Sequence, residues 1–146
     1  MLEVEIADTA EARQQCYGLR IEVFVEEQAI ALAEEFDEHD EGGAVHYLGR
    51  AGGVPVAVAR LIPAGETVKL GRIAVLATAR GHGHGEALVA RLLADARAEG
   101  YREAMLDAQH DKVGFYERFG FVAHGPAFDD GSGIAHRRMR LGLVDD

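Results

Sequence analysis

Hydrophobic and polar residues alternate with a strand period at the start of the chain and then change to a helical period. The segment LEVEI alternates apolar and acidic residues, which is typical of a strand with one face in water. Apolar residues next recur at helical spacing, at Ala12, Cys16, Leu19 and Val23. Asp8 with Glu11 resembles a capping box, so a helix is predicted over residues 9–26. The acidic segment that follows predicts a turn, a short helix or a loop.

The rest of the chain alternates between strand and helix patterns. VHYLGR and VPVAVARLI, joined by Ala51-Gly52-Gly53, predict an antiparallel hairpin, and TVKLGRIAVL predicts a further strand. An amphipathic helix ending near Gly100 follows, with an inward face formed by Leu88, Val89, Leu92, Leu93 and Ala96. EAMLDAQ predicts a strand, DKVGFYERF a short helix, and FGFVAHGPAF with AHRRMRL a closing pair of strands. This order predicts an α/β (α+β) fold, a mixed sheet covered by helices.

Composition narrows the class of protein. A chain of 146 residues predicts one domain over residues 1–146. The 25 acidic residues against 15 basic ones give a net charge of -10, which disfavours nucleic acid and anionic membranes as partners. The start lacks a basic leader with an apolar core, and no apolar run is long enough to span a membrane, so we expect a cytoplasmic protein. The single cysteine, Cys16, excludes an intrachain disulfide, and its helical position favours packing over nucleophilic chemistry.

A glycine-rich loop in ARGHGHGEALVARLL, residues 79–93, marks a candidate site between a strand and a helix. It lacks the Lys-Ser or Lys-Thr of a phosphate-loop nucleotide site. Its glycines, Gly81, Gly83 and Gly85, alternate instead of following the spacing of a dinucleotide fingerprint. A glycine turn without a ligand is one alternative. The other is a compact pyrophosphate, bound by backbone N–H groups at the positive end of the helix.

The loop resembles the GNAT family of N-acetyltransferases, which move an acyl group from coenzyme A to an amine. RGHGHG, residues 80–85, matches the family motif R/Q-x-x-G-x-G/A. FYERFGF and GRIAV resemble two further family segments, and LRIEVFVEEQ, FDEHD, LDAQ and DGSGIAHRRM resemble the ElaA-like branch. His84 departs from the aliphatic residue that many relatives carry. The resemblance implies a GNAT fold whose fourth and fifth strands splay apart.

The resemblance also implies where acetyl-CoA binds. The pantetheine arm is expected between the splayed strands, on backbone groups of Ile73 and Val75, with Ala74 in the core. The pyrophosphate is expected over the loop amides, with Arg80 anchoring the turn. Those amides belong to Gly81, His82, Gly83, His84 and Gly85. Gln109, at the end of the fifth strand, is expected either near the cofactor or as a strand-end cap.

Tyr116 aligns with the family tyrosine that faces the coenzyme sulfur, which implies a general acid for the leaving thiolate. The alternative for this residue is aromatic packing beside Phe115, Phe119 and Phe121. The proton of the incoming ammonium group has several candidate acceptors, each of which could instead be a surface or structural polar group. These candidates on the substrate side are Glu22, Asp37, His46 and His136.

No metal site is expected, because His82, His84 and His39 do not form a compact ligand set. The acidic segment over residues 34–41 is either a solvated face or a rim that attracts a cationic amine. Two functions therefore remain. One is acyl transfer from acetyl-CoA to a small amine or a peptide amino group, and the other is a non-catalytic acyl-CoA-binding sensor or scaffold. A homodimer is possible for either.

Overall fold

Strands and helices alternate along the computed structural model of the protein, which describes residues 1–144. The strands are β1 (Leu2–Ile6), β2 (Val45–Ala51), β3 (Val54–Ala64), β4 (Thr67–Val75), β5 (Glu103–Gln109), β6 (Val122–Asp129) and β7 (Ala135–Gly142). The helices are α1 (Ala10–Arg20), α2 (Leu32–Glu35), α3 (His84–Ala98) and α4 (Val113–Glu117). The segment Ile21–Glu27 continues α1 as a π-helix, and it is called the π segment below.

All seven strands belong to one mixed sheet in the order β1-β2-β3-β4-β5-β7-β6. Its pairs are antiparallel except for β4 with β5, which run parallel on either side of the α3 crossover. The predicted α/β (α+β) fold is therefore confirmed, and each strand pattern found in the sequence corresponds to a strand of this sheet.

Two hydrophobic clusters cover the two faces of the sheet. The apolar side of α3 packs on one face, and all five side chains predicted to point inward from this helix are at most 4% exposed. The helix ends where predicted, with Gly100 at φ +86 just beyond it. On the other face α1 packs with Cys16 fully buried, and burial raises the pKa of its thiol to about 11. Cys16 therefore packs as an apolar residue, as expected.

The start of α1 differs from the prediction. Thr9 is the N-cap residue, and its hydroxyl oxygen accepts a hydrogen bond from the N–H of Ala12 at 3.1 Å. Asp8 lies one residue too early for the predicted capping box. A capping box does occur further along the chain, where Asp37 and Asp40 close a short 3₁₀ turn at residues 38–40. The acidic segment is thus ordered by its own carboxylates.

A buried ion network fixes this acidic segment against the sheet. Arg20, which is fully buried, donates to Glu35 Oε2 at 2.9 Å and to Asp40 with both terminal nitrogens. Arg60, on β3, donates to Asp40 as well. Burial opposes ionisation of Asp40, but the hydrogen bond from Arg20 and the neighbouring arginine charges lower its pKa to about 2. Asp40 is therefore a carboxylate at neutral pH.

No helix within residues 1–144 is long and apolar enough to cross a membrane.

We expect Arg20→Met to lower the free energy of unfolding by about 3–5 kcal/mol, because it removes one partner from a buried ion pair and leaves carboxylates uncompensated. Arg50→Met is the matched control, since Arg50 pairs with Glu5 at the surface, where such pairs contribute about 0–1 kcal/mol. Urea denaturation followed by circular dichroism measures both. Equal losses of stability in the two variants would show that the Arg20 network does not hold the fold.

Candidate active site

The candidate site is a cleft of about 1230 Å³ that opens where β4 and β5 separate. The two strands pair in parallel from Thr67 with Glu103 to Leu70 with Leu106, and beyond that point they diverge. The walls of this central cleft include the diverging ends of both strands, the glycine loop, the acidic segment and Tyr116. The expected splay of the fourth and fifth strands is therefore observed.

A β-bulge in β4 lies at the point of divergence. Arg60 pairs with Gly71 and Val58 pairs with Ala74, so β4 holds one residue more than β3 between these two pairs. Arg72, in the bulge, has φ +51, a conformation that non-glycine residues adopt only under constraint. Its guanidinium donates to the Glu35 carbonyl at 2.8 Å and lies 3.0 Å from Glu35 Oε2. These contacts tie the bulge to α2.

Burial dominates the titration of Glu35. Its side chain is almost fully buried, and desolvation raises the pKa of its carboxyl although Arg72 and Arg20 contact it. Arg72 and Arg20 both also donate to the backbone carbonyl of Glu35. Glu35 therefore connects the fully buried arginine to the arginine of the bulge.

The diverging end of β4 lies beside the cleft as expected. Ile73 and Val75 both line the cleft, and Ala74 is 7% exposed in the cluster under α1. Arg80 Nε donates to the Val75 carbonyl at 2.9 Å. That bond uses one lone pair of the Val75 carbonyl, whereas no hydrogen-bond partner within residues 1–144 competes in this way for the Val75 N–H group on the cleft side.

The three glycines of the loop serve different purposes. Gly81 and Gly83 have φ +84 and +77, values that favour glycine, and Gly83 immediately precedes the first residue of α3. A Cβ at Gly81 would meet no atom within 4 Å, so the surface of the loop is open there. Gly85 lies inside α3, where a Cβ would lie 3.4 Å from Phe115 Cζ. Gly85 therefore lies where α3 packs against Phe115 of α4, at ordinary van der Waals distance.

The two histidines of the loop are placed differently. His84 begins α3, is 8% exposed and lines the cleft, whereas His82 is exposed and lies outside the cleft lining. Arg80 anchors the turn: besides its bond to Val75, it forms two hydrogen bonds to the carboxylate of Glu27, at 2.7 and 2.8 Å. This pair joins the loop to the π segment.

Gln109 also reaches the end of the π segment. Its amide nitrogen donates to Gln28 Oε1 at 2.7 Å, and Gln28 returns a longer contact of 3.4 Å. Gln109 lines the cleft at the end of β5. The side chain thus bridges two elements across the cleft. Glu27 and Gln28, which make the contacts to Arg80 and Gln109, were not predicted as site residues from the sequence. They follow Val23, the last residue of the helical apolar pattern, by four and five positions.

Tyr116 packs among aromatic residues and also lines the cleft. Its ring packs edge-on against Phe115 and Phe121, with centroids 5.0 and 6.2 Å away. The residue is nevertheless 9% exposed and lines the cleft. Burial raises the pKa of its phenol well above the ordinary value, so the hydroxyl is protonated throughout the neutral range.

The structure brings two of the four substrate-side candidates to the cleft, Asp37 and His136. The other two lie elsewhere, which corrects the expectation for them. Glu22 is exposed on the π segment, because its neighbours Val23 and Phe24 occupy the buried side. His46 is buried on β2, where its Nε2 donates to the Asp40 carbonyl at 3.0 Å.

Fewer carboxylates of residues 34–41 are free to attract a cation than the sequence suggests. Asp37 is held by Arg60 at 2.8 Å, with Arg72 at 3.6 Å, and Asp40 is buried between Arg20 and Arg60. Glu34 and Glu38 are exposed and line the cleft. Within residues 1–144, no lysine or arginine nitrogen lies within 4 Å of either carboxylate. These two residues are called the outer rim below.

The sequence carried a signal for the arginines of the ion network. Arg20 lies four residues after Cys16 and three before Val23, on the buried side of α1, and Arg60 interrupts the apolar run of β3. A charged residue at a core position is rarely buried without a partner. The carboxylates of residues 34–41 are then the candidate partners for these two arginines.

Known proteins resemble this chain over almost its full length. YjcF of Bacillus subtilis, described as an uncharacterized N-acetyltransferase, is 34% identical over 142 residues, covering 94% of this chain and 98% of its own. An acyl-CoA N-acyltransferase from Pseudomonas aeruginosa has a similar structure, with a TM-score of 0.82, 31% identity and coverage of 96% and 97%. Escherichia coli ElaA gives a TM-score of 0.85 with 26% identity, covering 96% and 99%.

The sequence model of the acetyltransferase (GNAT) domain matches residues 7–143, which include every strand and helix from α1 to β7. The relatives and the element order agree with this match, and the ElaA-like resemblance is confirmed by the similarity to ElaA itself. The chain therefore belongs to the GNAT family of acetyltransferases.

Proposed function

We propose that the protein transfers an acetyl group from acetyl-CoA to a primary amine by direct attack within a ternary complex. One observation carries this proposal: the glycine loop, the diverging ends of β4 and β5, and Tyr116 all line a single continuous cleft. A phosphate-binding loop, a slot for an extended chain and a proton donor are the three parts that a thioester of coenzyme A requires.

The loop suits the pyrophosphate of the coenzyme. Gly81 and Gly83 leave the backbone without side chains at the start of α3, a helix of 15 residues. The N–H groups of its first turn have no partner within the helix, and the helix dipole adds up to about 1 kcal/mol of attraction for an anion. Arg80 is fully engaged by Glu27 and Val75, so in this proposal it shapes the loop while the amides bind the phosphates.

The diverging strands suit the pantetheine arm. Past Leu70, β4 has lost its neighbour on the β5 side, so the backbone groups of residues 71–75 that face away from β3 are open to an extended ligand, as they would be to a strand. The exception is the Val75 carbonyl, which accepts a hydrogen bond from Arg80. Ile73 lies next to the bulge and lines the cleft, which favours its backbone for this role. Gln109 faces the same slot from β5.

Few groups are needed for the chemical step. An uncharged amine attacks the thioester carbonyl, the C–N bond forms, and the C–S bond breaks with release of the coenzyme thiolate. Alignment of the two reactants supplies much of the acceleration. Tyr116 donates its proton to the thiolate, and the burial that raises the pKa of the phenol also raises the proton affinity of a thiolate placed beside it.

A thiol-release assay with acetyl-CoA and a panel of primary amines tests the proposal, together with calorimetric titration of acetyl-CoA. The panel contains a diamine, a polyamine, lysine methyl ester and a peptide with a free amino terminus. We expect binding of acetyl-CoA and thiol release with at least one amine. Binding without thiol release for every acceptor would favour the non-catalytic sensor instead.

Gly83→Val is expected to abolish acetyl-CoA binding, because the side chain enters the space proposed for the pyrophosphate. Valine is also strained at φ +77, by about 1–3 kcal/mol, so some loss of stability accompanies the change. Gly53→Val is the matched control: it has φ +82 and open space around it, in the β2–β3 turn. Calorimetric titration of both folded variants measures their affinities for acetyl-CoA. Equal affinities would contradict the phosphate-binding role of the loop.

Tyr116→Phe is expected to lower the rate of thiol release by about 10²-fold or more, because it removes the proton donor and keeps the ring. The affinity for acetyl-CoA should hardly change. Tyr101→Phe serves as the control, since Tyr101 lies outside the cleft lining. Undiminished turnover of Tyr116→Phe would assign thiolate protonation to water.

The outer rim is expected to attract cationic acceptors. The double variant Glu34→Gln with Glu38→Gln should raise the Michaelis constant for a polyamine at low salt, and leave that for acetyl-CoA unchanged. The effect should shrink near 0.1 M salt, where charges are screened over about 10 Å. Glu99→Gln with Glu117→Gln changes the net charge equally at exposed sites outside the cleft. If both double variants behave alike, the rim has no role in acceptor binding.

A further inference from the structure

His136 faces the divergence of β4 and β5 from the side opposite Tyr116. In the antiparallel pair of β5 and β7, His136 lies directly across from Gln109, so both side chains point to the same face of the sheet. Gln109 contacts Gln28, which directly follows the π segment. Val23 and Phe24 of that segment pack in the cluster under α1, so this is the face of the sheet that α1 covers. Tyr116 packs on the other face, in the cluster with Ala108. A thioester between the strands is thus flanked by one group on each face.

The hydrogen bonds of His136 determine which ring nitrogen can take up a proton. Nδ1 lies 2.7 Å from the Ile134 carbonyl, and a carbonyl oxygen only accepts, so Nδ1 carries the hydrogen. The lone pair of the neutral ring is therefore on Nε2. Nε2 lies 3.4 Å from Asp130 Oδ2. The His136 side chain is only 7% exposed. An N–H formed at Nε2 would have this carboxylate oxygen as a hydrogen-bond acceptor.

The other charged groups around His136 are mostly engaged. On its own face of the sheet, Asp107 is balanced by Lys69 and Arg138. In the loop between β6 and β7, Asp129 accepts hydrogen bonds from the N–H groups of Gly131 and Gly133. From α2, Glu34 reaches the same loop, with Oε2 3.3 Å from the position of a Cβ at Gly131.

Asp130, beside the ring, and Glu34, against the same β6–β7 loop, therefore lack a cationic side chain. In the described part of the chain, no lysine or arginine nitrogen lies within 4 Å of Asp130 or Glu34. Together with the nearly buried ring of His136, these residues form an acidic corner of the cleft. An arriving ammonium group supplies the missing positive charge.

We propose that His136 is the base that deprotonates the acceptor, and that the acceptor is a primary amine arriving as the ammonium cation. The inference rests on the proposed acetyl transfer. The ammonium group gives one proton to Nε2 of His136, which passes it to water past Asp130. The uncharged nitrogen attacks the thioester carbonyl, the C–N bond forms, the C–S bond breaks, and the second nitrogen proton replaces the one that Tyr116 gives to the thiolate. One ammonium and one thioester thus yield one amide, one thiol and one proton.

A base is needed because of the basicity of the acceptor. With a pKa of about 10.4, as in lysine, roughly one amine molecule in a few thousand is uncharged at neutral pH. A weakly basic amine, already uncharged in the assay, needs no base. Loss of a base should therefore slow the reaction of a basic amine only, whereas loss of a residue that supports the fold should slow the reactions of both kinds of amine.

His136→Asn is the decisive variant, because the asparagine amide can still donate to the Ile134 carbonyl while nothing replaces the Nε2 lone pair. We expect kcat with a basic amine to fall about 10²-fold or more at neutral pH. The Michaelis constant for acetyl-CoA should be unchanged, and turnover of trifluoroethylamine, a weakly basic amine, should fall less than threefold. The rate with the basic amine should then rise about tenfold per pH unit, following the fraction of free amine.

His46→Gln is the matched control, since it changes a second buried histidine outside the cleft and keeps a donor for the Asp40 carbonyl. Its pH profile should match that of the unchanged protein. Equal losses of His136→Asn with both kinds of amine would overturn the assignment, as would an unchanged pH profile. If the unchanged protein releases thiol with neither amine, the proposed acetyl transfer falls, and the base assignment with it.

A second measurement does not depend on turnover. The ring resonances of His136, followed by NMR, should shift in Asp130→Asn, because the carboxylate beside Nε2 is lost. The ring resonances of His46 should stay the same. Unchanged His136 resonances in Asp130→Asn would show that the two side chains do not interact and would contradict the proposed pair.

Discussion

The separation of β4 from β5 is the constraint on which the rest of the site depends. Two parallel strands that begin as neighbours are stable together only while their backbone groups pair, and here pairing stops after four residues. The bulge at Arg72 bends β4 at that point, and contacts from its guanidinium to Glu35 hold the strained residue in place. The open backbone beyond the bulge is then available to a ligand. The glycine loop follows the C-terminal end of β4, so the loop and the gap between β4 and β5 lie at the same end of that strand.

The ion network explains how the acidic side of the cleft keeps its shape. Charged groups are costly to bury, and each carboxylate below the surface of this segment is matched by an arginine from α1, β3 or the bulge. The segment that connects α1 to β2 is therefore fixed to the sheet although it contains little regular structure. Within residues 1–144, carboxylates without an arginine partner line the cleft, among them Glu34 and Glu38 of this segment and Asp130 of the β6–β7 loop. The protein neutralises charge inside and leaves negative charge at the entrance.

Much of the fold was visible in the sequence because it depends on local patterns. The inward residues of α3, the stop at Gly100 and the order of the strands follow from periodicity and turn residues. The glycine loop and Tyr116 were recognised from motifs. The bulge was not, since no local signal distinguishes Arg72 from other strand residues. The partners of Asp37 and the burial of His46 depend on contacts far apart in sequence. The contact of Gly85 with Phe115 appears only once α3 and α4 are side by side.

A crystal structure of the protein with coenzyme A would show whether the diverging strands hold the cofactor. We expect the pantetheine arm between residues 71–75 of β4 and residues 107–109 of β5, hydrogen-bonded to the backbone of Ile73. The phosphates should lie on the amides of residues 81–85, and the sulfur should lie beside the hydroxyl of Tyr116. A coenzyme bound elsewhere on the surface, with β4 and β5 left empty between their diverging ends, would contradict this expectation.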